Sequence, residues 1–243
     1  MCGRFTLATP AEEWAALFGL AEVPSLPARY NVAPTQTVPV VRAGLEARLR
    51  RTRPESADER AGPGRELALV RWGLIPHWAK EAGGGSTLIN ARSETVAEKP
   101  SFRDAFHERR CLVVADGFYE WQAMGRRKQP YWIGLSDRRP FAFAGLWDRW
   151  QPEGGEALDS CTILTTDAND ALRDLHDRMP VILDAGDYDR WLDPDAASWE
   201  IEPMLRPYPA ERMTFFPVST RVNWVDHDDP GCIEPLRTQT ELF

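Results

Sequence analysis

Cysteine at position 2 is the residue whose placement carries the most chemistry in this chain of 243 residues. Aminopeptidases remove an initiator methionine when the next side chain is small, and cysteine qualifies. Loss of Met1 would leave Cys2 with a free amine and a thiol on neighbouring carbons. An α-amine titrates at about 7.7–8.0, so an appreciable share is neutral near pH 7. Such an amine condenses with an aldehyde to an imine, and the thiol can close on the imine carbon to give a thiazolidine ring. An internal cysteine lacks the free amine and cannot follow this route. Gly3 permits close backbone approach, and Arg4 sets a permanent cation beside the terminus, which suits a phosphate. The competing reading is a second-position cysteine that is buried and inert.

Three further segments hold residues suited to proton transfer or anion binding. In Asn90-Ala91-Arg92-Ser93-Glu94-Thr95 the Asn90 amide offers a donor and an acceptor, and Arg92 offers a planar donor fork. In Asp116-Gly117-Phe118-Tyr119-Glu120-Trp121 an acid stands between two aromatics. A carboxyl held against aromatic surface is desolvated and its pKa rises, which suits a proton shuttle. An outward-facing strand glutamate is the alternative there. In Leu175-His176-Asp177-Arg178-Met179-Pro180 a histidine stands where a helix meets a strand, and imidazole is the side chain best matched to proton transfer at neutral pH. A lone histidine is more often structural. His77, His107 and His227 share no ligand spacing with it, so no metal site and no cofactor are expected. Cys2, Cys111, Cys161 and Cys232 are far apart without a C-x-x-C, which supports neither a disulfide framework nor a zinc ribbon.

The net charge of −8 argues against a nucleic-acid partner until its distribution is considered. Residues 1–130 hold 19 Lys/Arg against 15 Asp/Glu, whereas residues 131–243 hold 10 against 22. Basic groups cluster at 48–53, at Arg109-Arg110 and at Arg126-Arg127-Lys128. Local potential rather than net charge steers a charged ligand, so phosphate contact by the first half stays open. Each cluster alone also fits a solvated loop. Ten tryptophans provide flat surfaces for stacking or for a core. No apolar run approaches the length needed to span a bilayer, and the first residues lack a secretory pattern. A cytoplasmic protein with no membrane partner is expected.

The elements that must position these residues read mainly as strands. Thr9-Pro10-Ala11-Glu12 predicts a helix start, with Thr9 capping and Glu12 closing a capping box, and the helix ends at Gly19. Strands are expected at 37–41, 67–72, 111–115, 118–121, 131–135, 141–147, 161–165, 179–183 and 213–218. Hairpin-like turns fall at 124–129 and 136–140. Short helices are expected from 101, at 169–175, 187–192 and 196–205. Residues 43–66 read as a long exposed Arg-rich loop and 82–86 as a mobile one. The pattern predicts a single α+β domain over 1–243, a mainly antiparallel, barrel-like sheet core with peripheral helices.

Taken in order, these motifs resemble the SRAP family, the SOS-response-associated peptidases. The matching stretches are Met1–Phe5, Asn31–Gln36, Trp72–Trp78, Asn90–Thr95, Cys111–Trp121, Phe143–Trp147, Thr162–Thr166 and His176–Pro180. They run from the first residue to about residue 192, and the tail at 193–243 matches weakly. The resemblance implies a protein that removes its own Met1, binds abasic sites in single-stranded DNA and crosslinks to them through Cys2. The ring-opened abasic sugar supplies the aldehyde that the aminothiol reading requires. It further implies that Asn90 positions the sugar or the amine. Glu120 would assist imine formation and Met1 removal, and His176 would handle protons at the sugar. Arg4, Arg92 and Arg178 would hold phosphates, and Trp72 and Pro34 would lie on the DNA face, where a flat side chain stacks on a base. A monomer associated with DNA is expected. The basic residue that often follows the Asn90 motif in the family could be Lys99 or Arg103. An N-terminal-nucleophile amidohydrolase and a non-catalytic single-strand binding module are the rival readings.

Overall fold

The computed structural model describes residues 2–20, 25–44, 64–82 and 88–236. Most of the 43–66 loop and of the 82–86 loop lies outside them. In chain order the described elements are β1 (Phe5–Leu7), α1 (Ala11–Leu17), β2 (Arg29–Val32), β3 (Thr37–Ala43), β4 (Arg65–Trp72), β5 (Asn90–Arg92), α2 (Arg103–Glu108), β6 (Arg110–Ala115), β7 (Gly117–Met124), β8 (Arg127–Leu135), β9 (Phe141–Trp150), β10 (Leu158–Asp167), β11 (Arg178–Pro180), β12 (Ile182–Leu183), α3 (Tyr188–Leu192), α4 (Ser198–Ile201) and β13 (Met213–Pro217).

Five of these strands close on themselves. β3 pairs antiparallel with β4 and with β6, β6 with β9, and β9 with β10, while β10 returns parallel to β4. A closed ring leaves none of the five with an open edge along its whole length. β10 also carries β5 in parallel and β11 antiparallel, and β12 adds to β9. A second, five-stranded sheet runs in the order β13-β8-β7-β1-β2. The architecture is the expected α+β one, with a barrel at its centre.

Period-two alternation in Val- and Leu-rich strands divides the wall of the barrel between two cores. Leu112, Val114, Ala142, Ala144 and Leu146 face the helices and meet Trp14, Phe106 and Trp191. Cys111, Val113, Ala115, Phe141 and Phe143 face the second sheet and meet Phe5, Phe118 and Ile133. Gly117, at the start of β7, lies against the Trp132 ring, where a Cβ would collide with the indole. The Trp132 ring thus lies close over β7 on the sheet face opposite Phe118 and Ile133, and its Nε1 donates to the Thr6 hydroxyl of β1 at 3.3 Å.

Three local expectations change. Thr9 does not cap α1: its amide and hydroxyl both donate to Asp116, Pro10 takes the N-cap position, and no capping box forms there. Residues 169–175 form successive turns rather than a helix, built on Asn169, whose Oδ1 accepts from the Leu172 amide at 3.1 Å. The expected strand at 179–183 divides into β11 and β12, which join different neighbours, β10 and β9. Among the described residues no helix is long and apolar enough to cross a membrane.

Candidate active site at the amino-terminal edge

Cys2 lies just ahead of β1, fully buried in the core shared by the barrel and the second sheet. Its thiol donates to the Arg4 carbonyl at 3.6 Å. Burial, and then the Glu120 charge, push this thiol well above its ordinary range, so the sulfur is held as S–H. The backbone is fixed from two sides. Asn90, the first residue of β5, donates its Nδ2 to the Cys2 carbonyl at 2.8 Å. On the other side β1 pairs with β7 at Phe5↔Phe118 and Thr6↔Gly117, and the Tyr119 amide donates to the Arg4 carbonyl at 3.0 Å. Continued by one residue, that register sets Gly3 beside Glu120.

Glu120 is 4% exposed, and burial raises its carboxyl to about 7. It lines an open cleft of about 420 Å³ together with Trp121, Lys128, His176 and Asn223. Pleating turns Glu120 and Trp121 to opposite faces of β7. Both nonetheless line the cleft.

His176 enters from the turn before β11. Its Nδ1 accepts the Arg178 amide at 2.9 Å, which leaves the proton of the neutral ring on Nε2. Asp177 stands 2.7 Å from the same nitrogen, a contact that attracts only the protonated ring. Burial comes first among the causes and the pKa is lowered, so the neutral ring is the working form at pH 7. An acid near half-protonation and a neutral base thus share one cleft, next to the Cys2 backbone.

The structure separates the residues assigned to DNA contact. Arg92 is exposed at the end of β5, and Pro34 is half-buried in a turn before Thr35, whose φ is 73°. Trp72 is 0% exposed: its Nε1 donates to the Ile89 carbonyl at 3.0 Å, and its ring meets Phe5 edge-on at 5.1 Å. It is a core residue and has no face for a base. Arg4 is spent inside the protein, donating to Asn31 Oδ1 and to the Val222 carbonyl, both at 2.8 Å, and to the Asn223 carbonyl at 3.4 Å. Arg178 forks onto Glu94 at 2.7 and 2.9 Å and also holds Asp167 and the Thr165 carbonyl. Those hydrogen bonds are the first cause holding the Glu94 carboxyl below its ordinary value. Both arginines therefore position backbone and neighbouring side chains. Among the described residues no three His, Cys, Asp or Glu side chains converge as a metal site.

Sequence reasoning used Trp121 only as an aromatic flank of Glu120 and gave no role to Lys128 or Asn223, and all three line the cleft. Trp121 Nε1 donates to Asn223 Oδ1 at 2.7 Å. Asn223 comes from the weakly matching tail and is carried to the cleft by contacts with Arg4 and Asn31. Signals existed for Trp121, in the Asp116–Trp121 motif, and for Lys128, in its basic cluster, and none for Asn223.

The family model described as SOS response associated peptidase (SRAP) matches residues 1–225. The chain belongs to this family. The match passes residue 192 and takes in Asn223, so the tail is more SRAP-like than the motifs alone suggested. The chain is 38% identical over 241 residues to the abasic site processing protein YoqW of Bacillus subtilis, covering 96% of this chain and 99% of that one. It is 39% identical over 197 residues to the abasic site processing protein HMCES of Gallus gallus, covering 71% of this chain and 58% of the longer relative. Among solved structures, a protein from Bacteroides thetaiotaomicron shares the SRAP fold described here with a TM-score of 0.80 at 28% identity, covering 97% of this chain and all of that one.

Proposed function

We propose that this chain traps abasic sites in single-stranded DNA as a thiazolidine on Cys2, after removing its own Met1. The observation that carries the reading is the buried Glu120 carboxyl, poised near pH 7 in a cleft beside the Cys2 backbone and His176. The names of the relatives, abasic site processing proteins, support the substrate class.

The steps follow from the groups present. Once Met1 is gone, the Cys2 amine attacks the aldehyde carbon of the ring-opened deoxyribose and forms a carbinolamine. Glu120 gives its proton to the departing hydroxyl, water leaves and an iminium remains. Glu120, now a carboxylate, takes the proton from the Cys2 thiol, and the sulfur closes on the iminium carbon. The acid is restored and one water is the only by-product. His176, neutral with its proton on Nε2, relays protons as the sugar ring opens. Asn90 holds the Cys2 carbonyl and so fixes where the amine points. In the peptide-bonded form Cys2 has no free amine, so Met1 removal is what makes the chain reactive. The same carboxylate would assist that cleavage.

The test is incubation of the purified chain with a single strand carrying one abasic site, followed by heat and denaturation. The expected result is an adduct whose mass is the sum of protein without Met1 and DNA, less one water, and which Cys2→Ala abolishes. An adduct of equal yield from Cys2→Ala, or from protein whose terminal amine has been acetylated, overturns the proposal. Cys2-dependent glutamine hydrolysis without any adduct would instead favour the amidohydrolase reading.

A further inference from the structure

We propose that Lys128 holds a phosphate of the DNA strand at the reactive cleft, a task for which the family resemblance pointed to Arg4, Arg92 and Arg178. The inference rests on the reading above that the cleft takes single-stranded DNA. Its observation is a contrast among the cations around one site. The Arg4 guanidinium faces Asn31 and two carbonyls, and the Arg178 side chain is 11% exposed with two carboxylates on it. Moving Arg4 onto a phosphate would strand the buried Asn31 side chain and Val222 carbonyl, which costs more than an exposed contact returns, and Arg178 is already neutralised by the two carboxylates. Lys128 is exposed, lines the cleft with Glu120 and His176, and enters none of the ion pairs found among the described residues.

The fold explains why this residue of the basic cluster is the one at the cleft. β7 and β8 form a hairpin in which Lys128 stands opposite Ala123, and Arg127 stands opposite Met124. Successive strand residues project to opposite faces, so Arg127 points away from the side that Lys128 shares with Trp121. The short Ala123 opposite it leaves the lysine stem room to lean across β7. Its charge is felt at His176, where it lowers the affinity for a proton. An ammonium on a flexible stem suits a strand that must move as its sugar opens, because it attracts phosphate without the fixed geometry of a guanidinium fork.

The experiment measures equilibrium binding to a single strand containing a tetrahydrofuran abasic analogue. That analogue has no aldehyde, so the result does not depend on the crosslinking chemistry. In parallel strands the linkage on the 5′ or the 3′ side of the analogue is made neutral as a methylphosphonate. Lys128→Gln should weaken binding to the all-phosphate strand about fivefold and reduce the salt slope by about 0.7, the share of one phosphate contact on a single strand. Neutralising the contacted linkage should cost the wild-type chain a similar factor and cost Lys128→Gln nothing further. Binding by Lys128→Gln equal to the wild type, or losses that simply add at both linkages, overturns the proposal. If the wild-type chain binds and shows this coupling yet forms no adduct with a true abasic site, the crosslinking reading fails and the Lys128 contact stands.

Discussion

Asp116 and Glu120 lie at the two ends of one short stretch, both almost fully buried, and their surroundings could hardly differ more. Asp116 accepts from the Thr6 hydroxyl at 2.5 Å, the Ala8 amide at 2.6 Å, the Thr9 amide at 2.7 Å and the Thr9 hydroxyl at 2.9 Å. These four donors tie the end of β1 and the entry to α1 onto the bend between β6 and β7. Glu120 is pushed to about 7 by burial and opens onto the cleft. The difference teaches that burial does not by itself make a carboxyl reactive. A carboxyl that accepts four hydrogen bonds becomes a structural knot, and one whose burial outweighs its hydrogen bonds at the edge of a cleft is suited to carrying a proton.

Substitution should pull the two apart. Asp116→Ala leaves four donors without their acceptor and should cost about 5 kcal/mol of stability, seen as a Tm lower by about 10–20 °C. A loss below about 1 kcal/mol would break the contrast. Glu120→Gln should slow adduct formation about 1000-fold, or about 4 kcal/mol in the barrier, in single-turnover measurements while the far-ultraviolet spectrum stays unchanged. The smallest effect concerns pH. Because folding raises the Glu120 pKa from 4.5 to about 7, its protonated form favours the native state. That contribution is complete below about pH 4.5 and disappears as the pH rises through about 7, a change of up to about 3 kcal/mol. In denaturant titrations Glu120→Gln should lack this dependence and should be more stable than the wild-type chain at pH 8. A variant that gained no stability there would mean that hydrogen bonds to Glu120 outweigh its burial, as they do at Asp116.

Much of the fold was legible because the barrel strands are long runs of Val, Leu and Phe with clear alternation, such as Cys111–Ala115 and Phe141–Trp147. β1 and β2 were not, since three or four residues between glycine and proline carry too little periodicity to show a strand. Cys2, Asn90, Glu120 and His176 could be singled out because their chemistry shows in residue type and local motif. The partners of Arg4 could not, since Val222 is far along the chain and charge alone does not distinguish a phosphate ligand from a backbone clamp. Trp72 misled for the same reason: indole serves a core and a stacking surface equally well, and only its position against Phe5 and Ile89 decides. Thr9 had the right type for a helix cap, but Asp116 offered its hydroxyl and amide a charged acceptor, which is the stronger partner.

The clasp between the first strands and the tail has a consequence for how the molecule opens. Asn31 Nδ2 reaches the carbonyls of Val222, Trp224 and His227, the Asn31 amide donates to Asp228, and Arg29 pairs with the same carboxylate. Releasing residues 222–228 would therefore uncover polar groups of β2 and the Arg4 guanidinium together, so the two segments belong to one cooperative unit for amide exchange. A ligand that stiffens either segment should therefore slow exchange in both, including at Arg4, two residues from Cys2.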